Sequence, residues 1–520
     1  MNLIENQWIP VRRRSGRVEK IAPWEITSGG SEEKVMELAA PRADFNGALI
    51  QFLIALVQTT CPPKNRNLHR RGLKAPPSAK TLKKAFQDVL PFFTLDGKGR
   101  LFMQDIDLEI KEKEILPISY LLIEAPTEKT IKDNTDHFVK RGELETLCSH
   151  CCATALFTLQ TNAPSGGKGH RTGLRGGGPL TTLVLGKDLW ETVWLNVLEQ
   201  RKFLAMSGNG SKNEVGEKFP WLLPTRTSEG GKATTPKDVH PAQNYWAMPR
   251  RIRLVQKETE DISCTLCRES NGVLYKGYVS KSYGINYKGP WFHPLSPYYI
   301  DEKRKPNAVH PQPGGIGYRH WLGTNGGKRH PARIVNAFCD TYNDELHRLW
   351  AFGYDMDNMK ARCWYESEVP LILVEEAHRE SYQYYTEKMI EAARSVATET
   401  KARIKEALFK PVRKVKKEFT ASIEHRFWQE TEKTFFSLAA KLRDDFKEEK
   451  GAISVMKEWY KNIRRKAEEL FEESTLTAQF EEDPERVSRA WNRLQKALGN
   501  KNLRQMLGLP ERKTEEAVKK

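Results

Sequence analysis

The sequence is poor in the features that mark membrane-spanning, secreted and nucleotide-hydrolysing proteins. Its longest apolar run, Ala48 to Val57, is interrupted by Gln51 and falls well short of the ~20 residues needed to span a bilayer. The opening Met1-Asn2-Leu3-Ile4-Glu5-Asn6-Gln7-Trp8 has neither the basic start nor the apolar core of a secretory signal, so a soluble, cytoplasmic protein is expected. Only 8 cysteines occur in 520 residues, too few for a disulfide framework. Absent too are the Walker loop G-x-x-x-x-G-K-[ST], the H-E-x-x-H helix, the G-x-S-x-G elbow and the Rossmann fingerprint, which disfavours ATP hydrolysis and leaves no convincing active site. The 12 histidines do not cluster as catalysts. A binding protein, not an enzyme, is the expected class.

What the chain has in excess is positive charge. Its 84 Lys and Arg against 67 Asp and Glu give a formal net charge of +17, a balance that attracts polyanions or belongs to a merely basic soluble protein. With 39% hydrophobic and 10% aromatic residues the chain is no disordered tail. At about 150 residues per domain its length predicts two to four domains.

The patterning changes near residue 376. Before it, strand-like pieces such as Thr181 to Leu185 and Arg251 to Val255, and helical ones such as Phe45 to Val57, alternate with Gly/Pro-rich connections. That pattern predicts a mixed α+β domain over residues 1–375, rich in long loops. Beyond it, apolar residues recur at three- and four-residue steps in four stripes: Tyr382 to Val396, Phe419 to Phe446, Ile453 to Leu470 and Val487 to Leu498. Gly451 ends the second stripe, and Asp483-Pro484 places an N-cap and a first-turn proline at the start of the fourth. An all-α four-helix bundle over 376–511 is predicted, its apolar stripes forming core, with a frayed tail at 512–520.

Three clusters carry chemistry. Cys148-Ser149-His150-Cys151 and Cys264-Thr265-Leu266-Cys267 are two C-x-x-C pairs about 110 residues apart. Two such turns supply four thiolates to a closed tetrahedral Zn²⁺ site, structural because no coordination position stays open. Four unrelated thiols, or one redox pair, is the competing reading, and His150 and Cys152 stand beside them as spare ligands. Next, Asn162 to Gly178 contains Gly166, Gly167, Gly169, Gly173, Gly176, Gly177 and Gly178 with Lys168, Arg171 and Arg175. Glycines let backbone amides approach a ligand closely, and the basic residues add charge; the plain alternative is a solvated connection. Finally, Asp355 and Asp357 could attract Mg²⁺, but the spacing lacks the remaining ligands of a calcium loop.

Longer motifs resemble a known family. The opening Asn2 to Val11, the run Cys151 to Thr182, Trp291-Phe292-His293-Pro294-Leu295-Ser296-Pro297 and Gly353 to Arg362 are similar, in the same order, to the CasA family, the large subunits of the type I-E CRISPR surveillance complex Cascade. The resemblance runs over essentially the whole chain. It implies a non-catalytic reader of double-stranded DNA. Such a reader recognises the protospacer-adjacent motif from the minor groove, starts strand separation (R-loop seeding), and helps recruit the helicase–nuclease. Its partners would be the other Cascade subunits, the guide RNA and the target duplex. It also maps the reading elements: a glycine loop at Ser165, Gly166, Gly167, Lys168 and Gly169; a minor-groove lysine finger; and a wedge at Asn358, where the best-known relative carries glutamine. For the finger the strict spacing falls on Ser282 and Lys281 stands one residue before it; Lys281 is taken. Phe138 and Lys140 fall where the family docks on the guide RNA and neighbouring subunits. Surplus charge at Lys64, Arg66, Arg70, Arg71, Lys74, Lys410, Arg413, Lys414, Lys416 and Lys417 would add salt-dependent affinity for phosphates. The alternatives are a metal-dependent nuclease built on Asp355 and Asp357, or a scaffold for RNA and protein that does not read DNA.

Overall fold

The computed structural model describes residues 1–125, 144–167, 169–206, 215–257, 263–270, 272–320, 329–342, 347–357, 360–409, 417–481 and 483–510. The chain divides into two compact units. The first gathers 1–311, 332–341 and 350–365; the second gathers 312–331, 342–349 and 366–520. Among the described residues no helix is long and apolar enough to cross a membrane.

The first unit is mixed α+β, as its patterning predicts. The apolar run that is too short for a bilayer is the core helix Ala43–Thr60, buried on nearly every face. Phe52 sits at its centre, ringed by Trp8, Phe93, Phe102, Phe157 and Trp246 at centroid distances of 5.3 to 6.0 Å, all close to perpendicular. Edge-to-face geometry of this kind sets positive ring edges on negative faces and adds to the burial itself. Gln51 does not break the core, because its amide donates to Gly47 O at 2.8 Å and its carbonyl accepts from Arg175.

Around this helix lie small sheets. Arg251–Lys257 and Leu274–Lys281 form an antiparallel pair, Arg251 opposite Lys281, with a bulge at Val255/Gln256. Leu116–Pro117 and Leu147–Cys148 both pair with Leu274–Lys281. A second sheet orders Thr181–Val184, His347–Asp357 and Lys360–Leu371, with His347–Asp357 in the middle.

The second unit is built on the four helices that the stripes predict: Arg379–Leu408, Lys417–Lys447, Ile453–Glu481 and Pro484–Leu498. The first packs against the other three. Gly451 takes φ +70 at the break, and the Asp483 carboxylate accepts from Arg486 N at 3.0 Å as the N-cap. The bundle core also contains a residue from outside the helices. Tyr318 stacks on Phe435 at 4.3 Å, lies edge-on to Trp428, and exchanges a 2.8 Å hydrogen bond with Thr431. A Cβ on Gly317 would stand 2.3 Å from the Glu432 carboxylate, which accepts from Tyr318 N at 3.0 Å, so a side chain there would have to displace that carboxylate.

His320, two residues on from Tyr318, is buried. Its Nδ1 lies 3.2 Å from Gly317 N, and its Nε2 has no partner among the described residues. Burial pushes this imidazole down to about 3. An unfolded histidine titrates near 6.5, so below that pH the unfolded chain takes a proton that the folded one refuses, and stability is lost as pH falls toward 3. Glu432, whose carboxyl burial pushes up, acts with the opposite sign. Between pH 6.5 and 5 the wild-type bundle should therefore lose about 2 kcal/mol more than a His320→Asn variant. Denaturant unfolding followed by tryptophan fluorescence checks this, and parallel pH profiles would contradict it.

Candidate nucleic-acid interface and metal centre

The two cysteine pairs are brought together by strand pairing. Cys148 ends the strand Leu147–Cys148 and is the N-cap of the helix Ser149–Asn162, so Cys151 falls in that helix's first turn. Cys264 and Cys267 sit in the connection between Arg251–Lys257 and Leu274–Lys281. Pairing of Leu147 with Tyr275 and of Cys148 with Leu274 folds one pair onto the other. Thr146 and Thr265 join the two turns: Thr265 N donates to Thr146 O at 3.0 Å and Thr146 N donates to Thr265 Oγ1 at 3.1 Å. The second turn closes through Arg268 N, which donates to Cys264 O at 2.9 Å with Arg268 at φ +65.

All four sulfurs lie within 4.8 Å of one another, Cys148 Sγ and Cys267 Sγ at 3.6 Å. A tetrahedron with Zn–S bonds of ~2.3 Å has edges of about 3.8 Å, so the donor set and its spacing fit a four-thiolate ion. Cys148, Cys151 and Cys264 are buried. Without an ion the four thiols share protons: hydrogen bonds from Cys148 and then Cys151 lower Cys264 and Cys267, while Cys148 and Cys151 are pushed up, and a cation bound among the sulfurs would favour the thiolate at all four. The spare ligand His150 lies beside the cluster, where its Nδ1, Glu269 and Cys148 form a second group of possible ligand atoms within 4.8 Å of one another. His150 Nδ1 accepts from Lys20 Nζ at 2.9 Å, and Lys20 is also paired with Glu269. Cys152 is fully buried and stands outside the four-sulfur group.

The glycine loop follows the same helix. Ser165, Gly166 and Gly167 are exposed; Lys168 lies outside the described residues. Gly167 and Gly169 adopt φ +85 and +80, conformations that side chains resist. Tyr283 N donates to Gly169 O at 2.7 Å, and a Cβ on Gly169 would stand 2.7 Å from Ser282 Cβ. The loop thus abuts residues 281–283, at the end of the strand Leu274–Lys281. Ser282 faces the loop, whereas the Lys281 side chain is exposed. Two of the segments singled out in the sequence are neighbours in space.

Other residues depart from the sequence reading. Arg175, counted among the loop's positive charges, is turned into the core. It donates to Thr181 Oγ1 and Ser296 Oγ at 2.9 Å and to Gln51 Oε1 at 2.6 Å, and burial lowers it to about 9. Arg171 is held by Ser228 Oγ at 2.8 Å. Arg66 and Arg70 donate to Asp340 O and Thr341 O, the carbonyls that end the helix Arg333–Thr341, while Lys64, Arg71 and Lys74 are exposed. Asn358, Phe138, Lys140, Lys410, Arg413, Lys414 and Lys416 lie outside the described residues, as does the side chain of Lys417 and the tail 512–520.

Asp355 is buried in a two-point pair with Arg362, at 2.6 and 3.0 Å, and Asp357 reaches the same guanidinium at 3.4 Å. Arg362 pairs with both carboxylates and offsets one of their two negative charges. Among the described residues neither belongs to a group able to hold a metal. Sequence reasoning missed the network across the same region, where Arg42 pairs with Asp44 and Glu124 and Tyr354 donates to Asp44 at 2.5 Å; these four residues share no motif or spacing that could have revealed it.

The purified chain should carry about one zinc by elemental analysis, and Cys264→Ser should cost about 3 kcal/mol or more of unfolding free energy. A metal-free preparation of undiminished stability would remove the ion from this account.

Comparison with known proteins fits this geometry. Residues 2–470 match the family profile described as CRISPR-associated protein Cse1. The crystal structure of CasA from Thermus thermophilus superposes with a TM-score of 0.66 at 18% identity, covering 98% of this chain and 99% of that one. Thermobifida fusca Cse1 gives 0.70 at 16% identity, covering 98% of both chains. A chain of a CRISPR RNA-guided surveillance complex gives 0.70 at 15% identity, covering 96% of this chain and 99% of that one. The fold is theirs, and the family match spans nearly the whole sequence: the chain belongs to the CRISPR-associated Cse1 family, that of type I-E CasA.

Proposed function

We propose that the chain is the DNA-recognition subunit of a Cascade surveillance complex. It works in the cytoplasm with the guide RNA and the other subunits, reads the protospacer-adjacent motif of double-stranded DNA from the minor groove, and carries out no covalent chemistry. One observation carries this reading: the glycine loop, with Ser165 to Gly167 exposed, is held against the strand end that bears the exposed Lys281, through Tyr283 N and Gly169 O. A minor groove is about 6 Å wide, and a bare glycine backbone with one extended lysine suits that width. Such a groove offers mainly an A·T-versus-G·C distinction, so this reader would tolerate several motifs and leave sequence proper to guide pairing.

In this reading Asn358 is the wedge that holds the first base pair open once the motif is bound. Opening is the nucleation step, because the guide–target hybrid is about as stable as the duplex it replaces. Phe138 and Lys140 lie on the side of the guide RNA, and the helicase–nuclease is recruited to the opened strands. Zn²⁺ held by Cys148, Cys151, Cys264 and Cys267 would brace the platform. The pairing of Asp355 and Asp357 with Arg362 supports a binding role over metal-dependent cleavage.

Two substitutions separate binding from opening. In assembled complexes, Lys281→Ala should weaken motif-bearing duplex about tenfold and reduce the salt dependence by about one counterion, with little effect on duplex lacking the motif. Asn358→Ala should bind closed duplex within about twofold of wild type yet open it more slowly, read by 2-aminopurine fluorescence beside the motif. If complexes with both changes bind and open target like wild type, the assignment of these residues is wrong.

A further inference from the structure

Arg250 joins the two elements assigned to duplex reading, and neither the metal centre nor the contact of Tyr283 with Gly169 involves it. It stands just before the strand Arg251–Lys257. Its main chain is clamped to the helix Ser149–Asn162, which leads into the glycine loop. Arg250 N donates to Gln160 Oε1 at 3.0 Å, and the buried Gln160 donates back through Nε2 to Arg250 O at 2.9 Å. On the other side Pro249 and Arg250 lie against Gly284, where a Cβ would stand 1.9 Å from Pro249 O and 3.3 Å from Arg250 N. Arg250 is thus tied both to the helix before the loop and to the chain just beyond Lys281.

The side chain runs beneath the loop. Its Nη2 donates to Pro164 O, and a Cβ on Gly166 would stand 2.5 Å from Nη1 and 3.0 Å from Nη2. Only a residue without a side chain lets the loop rest so closely on the guanidinium. The turn's own bonds are long: Gly166 N donates to His170 O and His170 N to Gly167 O, each at 3.3 Å. The charge-assisted bond to Pro164 O is of the stronger kind. Burial, and then the Arg250 charge, lowers the His170 imidazole, so the field of this cation reaches the turn. The arrangement is unfavourable for Arg250 itself. Its Nε has no partner and no carboxylate faces it among the described residues, and burial lowers the guanidinium to about 10. Arg251, next in the chain, is instead paired with Asp105 at 2.6 Å. A buried cation with an unmet donor weakens folding, so stability does not account for it. What it does is local: it holds the carbonyl that starts the loop and sets positive charge behind the exposed edge, which favours a polyanion in front.

We propose that Arg250 is the positioning residue of the glycine loop. By holding Pro164 O and supporting Gly166 from below, it fixes the edge Ser165 to Gly167 relative to Lys281 and so sets the discrimination between duplexes with and without the motif. The proposal rests on the reading of this loop as a duplex-contacting element, and it adds a residue that acts through the loop without touching the duplex.

The test uses the full-length chain with its metal, free for the loop and in assembled complexes for the duplex. Arg250→Met keeps the length of the side chain and removes its charge and donors. Amide hydrogen exchange of the peptide spanning residues 161–172 should speed up about tenfold in the free chain, with the bundle helix Arg379–Leu408 unchanged. In complexes the ratio of affinities for duplex with and without the motif should fall about fivefold. A merely structural role would not move that ratio, because loss of folded chain lowers both affinities alike. Arg250→Lys keeps the charge and one donor but not the fork under Gly166; it should show smaller shifts of both kinds, and it serves if the methionine variant does not fold. Gly166→Ala presses on the same guanidinium from above, so its effect on the ratio should shrink in the Arg250→Met background. Lys281→Ala is run alongside. The proposal is overturned if exchange in the loop is unchanged, if the effects of Gly166→Ala and Arg250→Met simply multiply, or if Lys281→Ala lowers the ratio and Arg250→Met does not. If neither of those two lowers it, the reading of the loop itself falls, and the proposal with it.

Discussion

The antiparallel pairing of Cys148 with Leu274 is the contact that brings the two cysteine pairs together and sets the course of the helix and strand that lead to the glycine loop. The helix Ser149–Asn162 and the strand Leu274–Lys281 both leave from that point. At 1.5 Å per residue the helix runs about 21 Å, and the strand covers about 24 Å. Their far ends meet again where Tyr283 N donates to Gly169 O. A four-sulfur site at one vertex of such a triangle fixes the relation between the two elements that form the opposite side. The clasp can therefore matter to recognition without standing near a ligand, because a small rotation at the sulfurs is carried along two stiff elements to the loop and to Lys281.

Burial of polar groups does similar work farther along the chain. Arg175 lies among hydroxyl and amide acceptors, with no carboxylate among its hydrogen-bond partners. A guanidinium can be accommodated in such a place only when its donors are satisfied, and here it anchors the Gly173–Gly178 stretch to the core helix through Gln51. The glycine-rich segment is thus fixed at its C-terminal part and by Tyr283 near its tip, leaving Ser165 to Gly167 in solvent. The described part of the loop is thus anchored on both sides of its exposed residues, and anchoring of this kind lowers the ordering entropy that binding has to offset.

Much of this was legible in the amino-acid order. The C-x-x-C spacing announced two turns with paired thiols, because the geometry that puts both thiols on one side of a turn is local. The helical stripes announced the bundle because one amphipathic face needs others to cover it. What remained hidden was long-range. Nothing near Tyr318 says that it stacks on Phe435 more than a hundred residues later, and nothing in Gly-Leu-Arg-Gly distinguishes an arginine that meets phosphate from one that turns inward to Gln51. Asp355 and Asp357 look like metal ligands until Arg362, on the neighbouring strand, is seen to pair with both. Charge can be counted from a sequence, but its exposure depends on tertiary partners.

The chemistry of the sites then constrains the kind of work the chain can do. A tetrahedron of four cysteines has no position for a substrate or an activated water, and the most tempting acidic pair is held by a cation. The described groups facing solvent around the glycine loop include backbone amides, the Ser165 hydroxyl and the Lys281 ammonium, which can bind and position a polyanion. Any change such a surface imposes on a duplex has to come from differential binding: contacts made better with the opened form than with the closed one. Local duplex opening is within reach of that mechanism, since unstacking a base step costs only a few kcal/mol. That is comparable to a small number of well-placed contacts, so an all-binding surface of this size is energetically sufficient for the role assigned to it.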